Sequence, residues 1–170
     1  MKRTLVLMFL AVSAIAQDKP AVVAVAACGR NDISFDVKRD QTQHALAQPE
    51  PGKARIYFVQ DLGQTHCIAH CVTVKIGLDG AWVGANQDNS YFSVSVEPGE
   101  HHLCANPQSR ELRHLVGLAH FTAEEGKTYY LRTRLFGDQN QQLIDFGLID
   151  SDQAGYFVAS YPLSVSQPKQ

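Results

Sequence analysis

No G-x-S-x-G elbow, no H-E-x-x-H pair and no phosphate-binding glycine loop occurs in this 170-residue chain. Their absence removes familiar signatures of serine hydrolases, zinc peptidases and nucleotide hydrolases. Positive charge is also in short supply: 15 Lys and Arg against 17 Asp and Glu leave a formal net charge of −2. This argues against a basic face built for nucleic acid. Local patches at Arg110, Arg113 and His114, and at Arg132 and Arg134, read as solvated strand and loop positions. Beyond the N-terminus, no apolar run approaches the roughly 20 residues that cross a bilayer as a helix. No internal repeat or low-complexity stretch stands out.

What is present starts with a short basic region, Met1-Lys2-Arg3, followed by an almost wholly apolar run over residues 4–15. Ala14-Ile15-Ala16 then offers a small-x-small cleavage signature before polar Gln17-Asp18. The pattern predicts a secretory signal peptide over residues 1–16, which is excluded from the fold. Val25-Ala26-Ala27-Cys28 resembles a lipobox, but Asp18, Lys19 and Pro20 separate it from the apolar run, which disfavours lipid anchoring at Cys28. The expected location is the periplasm or the medium.

Downstream, hydrophobic periodicity is that of strands. Ile33, Phe35 and Val37 alternate with Ser34, Asp36 and Lys38. A polar stretch ending in Gln48-Pro49-Glu50-Pro51-Gly52 separates them from the β-rich Ala54-Arg55-Ile56-Tyr57-Phe58-Val59. Val72, Val74, Ile76 and Leu78 predict a strand, Asp79-Gly80 a turn, and Ala81-Trp82-Val83-Gly84 its continuation. Phe92, Val94 and Val96 predict another, Glu97-Pro98-Gly99-Glu100 a tight turn, and residues 101–105 its partner strand. Further strands are expected at residues 115–122, 128–136 and 143–149, then a short helix from about Ser151 to Ser160. The expected fold is an all-β, antiparallel β-sandwich of short strands with a short C-terminal helix. Residues 17–52 form an N-terminal strand and polar linker packed on a sandwich domain of residues 53–164, and residues 165–170 a disordered tail.

The cysteines carry the densest chemistry. Cys28, Cys67, Cys71 and Cys104 make an even set, and export favours two disulfides, with three pairings open. The stretch QTHCIAHC, residues 64–71, holds His66, Cys67, His70 and Cys71. Zinc takes such ligands tetrahedrally, yet side chains adjacent in sequence diverge. The C-x-x-x-C spacing and the β surroundings also differ from a thioredoxin-type redox site. A local disulfide needs Cα atoms roughly 4.4–6.8 Å apart. Residues four apart are about 13 Å apart in a strand but about 6 Å apart along one helical turn. A Cys67–Cys71 bond therefore requires a turn there, which Gly63 and Gln64 just before it suit, and this is the expected pairing. It leaves Cys28–Cys104 as the second bond, tying the N-terminal segment to the central sheet.

Other candidates have ordinary readings beside them. His101 and His102 point to opposite faces of a strand and cannot act as a pair. Asp145, Asp150 and Asp152 read as a turn and a helix cap, not as paired glycosidase carboxylates set across a cleft. Trp82, Tyr91 and Tyr130 form a candidate binding strip, against the alternative that such aromatics fill the core.

K-I-G-L-D-G-A-W-V-G at 75–84, A-R-I-Y-F-V at 54–59, S-Y-F-S-V-S-V-E-P-G-E-H at 90–101 and E-G-K-T-Y-Y-L-R at 125–132 together resemble the bacterial domain of unknown function 2846. That family has exported and lipoprotein-like members. The order of strand, D-G turn, aromatic, V-G, strand, P-G-x-H and strand is also similar to PEGA-like β-domains of the bacterial cell envelope. The resemblance covers about residues 53–136. It implies fold more than function and no catalytic residue. This chain lacks the well-placed lipobox cysteine of lipoprotein-like members, which argues against anchoring.

The expectation is an exported, non-enzymatic envelope protein that binds a protein partner or a cell-wall polymer, with no cofactor, no nucleic acid and no transmembrane segment. Two alternatives are a periplasmic metal-binding protein using His66, Cys67, His70 and Cys71, and an unrecognised hydrolase.

Overall fold

The computed structural model describes residues 27–29, 33–42, 46–63, 72–137 and 142–169. The expected signal peptide, the linker's residues 43–45 and the stretch holding His66, Cys67, His70 and Cys71 lie outside them. The described residues form β1 (Phe35–Asp40), β2 (Ala54–Gln60), β3 (Thr73–Leu78), β4 (Ala81–Gln87), β5 (Ser90–Val96), β6 (Gly99–Pro107), β7 (Gly117–Ala123), β8 (Thr128–Gly137), β9 (Gln142–Leu148), helix α1 (Ser151–Ser160) and β10 (Leu163–Pro168). A six-stranded sheet runs β1-β10-β5-β2-β8-β9, and a four-stranded sheet runs β4-β3-β6-β7. The expected all-β sandwich is the fold, with mostly antiparallel pairing. Two neighbours are parallel: β2 with β8, and β10 with β5.

The core sits between the sheets. Ile56 and Phe58 of β2, Val74 and Ile76 of β3, Leu103 of β6 and Leu131 of β8 meet there with no exposure to solvent. The alternate residues Tyr57 and Val59 of β2 face the other way and pack with Tyr91, Phe157 and Val158 beneath α1. Strand β2 is thus buried on both faces, and its sequence reads as an almost unbroken apolar run. Asp150 caps α1, its side chain accepting from the Gln153 N–H at 2.8 Å. Asp152 lies in the first turn of α1, as the cap reading expects, whereas Asp145 lies within β9, not in a turn.

Two expectations about connectivity are corrected. Residues 101–105 do not return beside residues 91–96. Strand β6 pairs with β3 and β7 in the opposite sheet, so the Pro98-Gly99 turn carries the chain across the sandwich. Residues 165–168, expected in a disordered tail over 165–170, belong instead to β10, which pairs along its length with β1. The sandwich accordingly extends past residues 53–164 at both ends. Ser164 is buried in β10 because its hydroxyl is hydrogen-bonded to Ser90 Oγ at 2.8 Å, which lets a polar-looking strand sit inside the sheet.

Candidate functional site

The four-stranded sheet turns one face to the core and carries the N-terminal segment across the other. Cross-strand register aligns Trp82, Gly77, Cys104 and Leu118 in one row over β4, β3, β6 and β7. Cys28 is disulfide-bonded to Cys104, with Cα atoms 5.2 Å apart. This pairing is the one expected once Cys67 and Cys71 are set aside. The bond presses residues 27–29 onto the row as a strap. Gly77 makes room for it: a Cβ there would stand 2.7 Å from Ala27 O and 3.1 Å from Cys28 Cα. The Gly80 N–H donates to Ala27 O at 3.3 Å. Beside the strap, the Lys75 ammonium donates to Ile33 O at 2.9 Å and lies 4.1 Å from the centre of the Trp82 ring. That cation–π contact suits a lysine buried to 5% exposure.

A cleft of about 610 Å³ lies on one side of the strap. Lys75, Arg110, Arg113 and His114 line it with Asn106 and Gln108, and none of its described lining residues is acidic. The basic loop is held in place. Buried Asn106 donates to Arg113 O at 3.0 Å and to Leu115 O at 2.8 Å. The Gln108 side chain accepts from the Phe35 N–H at 2.6 Å and donates to Phe35 O at 3.0 Å, so it clamps β1 against the end of β6. The sequence marks Arg110, Arg113 and His114 as a patch. It does not show that Lys75 joins them, because that follows from the pairing of Lys75 with Asn106 across β3 and β6.

On the other side of the cystine is a depression of about 250 Å³ bordered by Glu100, His102, Leu118 and His120. His101 and His102 do face opposite ways, as strand geometry requires. His101 is buried and His102 lies half-exposed on the strap side. His102 instead stands opposite His120, its register partner on β7. Nothing in local spacing pairs residues 18 apart; only the β6–β7 register does. Among the described residues, no group of three or more His, Cys, Asp or Glu side chains is gathered to hold a metal ion.

His101 locks the sheet end. Its Nδ1 lies 2.7 Å from Asp79 Oδ2 and its Nε2 lies 2.8 Å from Glu97 O. Both partners are acceptors, so only the doubly protonated ring donates to both. Asp79 Oδ1 also accepts the His102 N–H at 2.8 Å. Asp79 and Gly80 have φ of 50° and 81°, the left-handed pair required by a two-residue hairpin turn. Burial works against the charged forms of both groups. The Glu97 carbonyl and the Asp79 carboxylate nevertheless raise the His101 pKa above its ordinary 6.5. The His101 ring and the His102 N–H lower the Asp79 pKa below its ordinary 3.8.

The histidine's contribution to stability is complete below pH 6.5 and is lost as pH rises through its raised folded pKa. The aspartate's is complete above pH 3.8 and is lost as pH falls through its lowered one. Urea unfolding should therefore show the pair at full strength between those values, with a decline of about 1 kcal/mol on the alkaline side for one screened charged hydrogen bond. His101→Gln should remove that alkaline decline; an unchanged slope would refute the assignment.

The aromatic strip is not assembled. Tyr91 and Tyr130 flank Tyr57 beneath α1, with ring centres 6.2 and 5.5 Å from it, whereas Trp82 lies on the other sheet beneath the strap. Tyr91 is buried to 2% exposure, so it fills core. Arg132 and Arg134 lie on β8, away from the basic cleft. Among the described residues, no helix is long and apolar enough to cross a membrane.

Fold and face together define a two-sheet β-sandwich with a disulfide-strapped sheet face. No family model, curated protein or solved structure matches the chain.

Proposed function

We propose that the chain is an exported, non-enzymatic binding protein that recognises an anionic polymer of the bacterial cell wall through the cleft at Arg110, Arg113 and His114. The observation that carries this reading is the concentration of basic groups around one cleft in a chain whose net charge is −2. Guanidinium forks match phosphate and carboxylate oxygens, and the loop bearing them is fixed by Asn106 before any ligand arrives. Export is supported by the basic-apolar-small N-terminus and by a disulfide, which persists in oxidising compartments. The Cys28 sulfur is bonded to Cys104 and so is not free for a lipid thioether, in line with release to the periplasm or medium.

The test is calorimetric titration with a poly(glycerol phosphate), a polyuronate and a neutral glucan. Binding is expected for at least one of the two anionic polymers and not for the glucan, and it should weaken with salt. Arg110→Glu/Arg113→Glu should lower affinity on the order of tenfold or more, because each exposed charge contact is worth up to about 1 kcal/mol and reversal makes it repulsive. Equal binding by this variant, or binding only to an acidic protein, would overturn the polymer reading.

A further inference from the structure

We propose that His102 and His120 form a two-histidine site for a divalent first-row transition metal ion, with copper(II) held tightest, on the outer face of the four-stranded sheet. This site is separate from the basic cleft and does not depend on the anion reading. His102 of β6 and His120 of β7 are directly opposed in the antiparallel register. Their neighbours Leu103 and Phe121 point into the core, so both imidazoles project to the outer face. Directly opposed residues carry Cβ atoms about 4.5–5.5 Å apart. Two rings from such positions can close on one ion at nitrogen–metal distances of about 2.0–2.1 Å.

The pair is available where the neighbouring histidine is not. Both ring nitrogens of His101 are engaged, by Asp79 and Glu97. No hydrogen bond or ion pair to another described residue engages the side chains of His102 and His120, and both border the 250 Å³ depression. Glu100, two residues before His102 on β6, borders the same depression and adds negative charge beside it. Only two protein nitrogens converge, so the remaining coordination positions belong to solvent or to a ligand. Imidazole donors and the order of divalent-ion affinities place copper(II) above nickel(II) and zinc(II). The strands are preorganised on both sides: β6 is joined to β7 along seven register pairs and to the strap by the cystine at Cys104.

The experiment is titration of the untagged protein with copper(II), followed by calorimetry and electron paramagnetic resonance. Single-site binding with hyperfine coupling to two nitrogens is expected. His102→Asn and His120→Asn, both with unchanged melting curves, should each weaken binding about a hundredfold, since either change turns a chelate into a single contact. His66→Asn/His70→Asn should bind as the parent does. Loss confined to that last variant would assign the metal to residues 64–71 and overturn the proposal. So would parent binding no tighter than that of His102→Asn/His120→Asn.

Discussion

Replacing both Cys28 and Cys104 by alanine is expected to destabilise the protein by about 4 kcal/mol, the scale of the chain-entropy model for a long closed loop. The bonded residues are 76 apart, so the bond removes much of the freedom of the unfolded chain. It also holds down a segment with few other attachments among the described residues, chiefly the Gly80 N–H to Ala27 O hydrogen bond and the packing of Gly29 on Trp82. Changing both cysteines together leaves no odd thiol to mispair with Cys67 or Cys71. The chain has one tryptophan, and it packs against this strap. A red shift of Trp82 emission should therefore accompany the fall in the urea midpoint. A loss below about 1 kcal/mol, with Trp82 emission unchanged, would mean that the strap stays docked without its bond and that the chain-entropy account fails here.

Strand positions were legible from residue type and from sequence alternation. The β-branched and aromatic run Ile56-Tyr57-Phe58-Val59, and Val74 and Ile76 alternating with Thr73 and Lys75, become strands where expected. Sheet membership was not legible, because a Pro-Gly turn that reverses a hairpin looks the same in sequence as one that crosses to the opposite sheet. Gly99, with φ of 140°, begins the strand after such a crossing.

Strand β10 was hidden by its serines. Ser164 is buried only because Ser90 awaits it, and that partner lies 74 residues away in sequence. The same holds for the candidate site. The strap could be expected from an even cysteine count in an exported chain, but its seat could not. Gly77 has to face Cys104 and Trp82 at once, and His102 has to face His120. Those are properties of register, which local patterning reports only as the choice of face.

Gly77→Val should cost about 3 kcal/mol in the native protein, at the upper end for overpacking, and the sign should depend on the cystine. A Cβ at Gly77 meets backbone atoms of the strap at 2.7 and 3.1 Å, and those atoms cannot swing aside as the end of a flexible side chain would. The Cys28–Cys104 bond anchors that backbone within the same row. The inward neighbours Ile76 and Leu103 are packed in the core without exposure, which prevents β3 from yielding in the other direction. Valine is otherwise the better strand residue, by up to about 1 kcal/mol, because glycine weakens a strand interior. Without the cystine the strap can lift, and the substitution should become neutral or stabilising. A double-mutant cycle between Gly77→Val and the Cys28→Ala/Cys104→Ala pair should show a coupling of about 3 kcal/mol, at the top of the range for residues in contact. Additive effects in that cycle would show that Gly77 is small for a reason other than the strap. Strong coupling would show that the sequence spends a strand glycine to keep the strap seated between the basic cleft and the histidine pair.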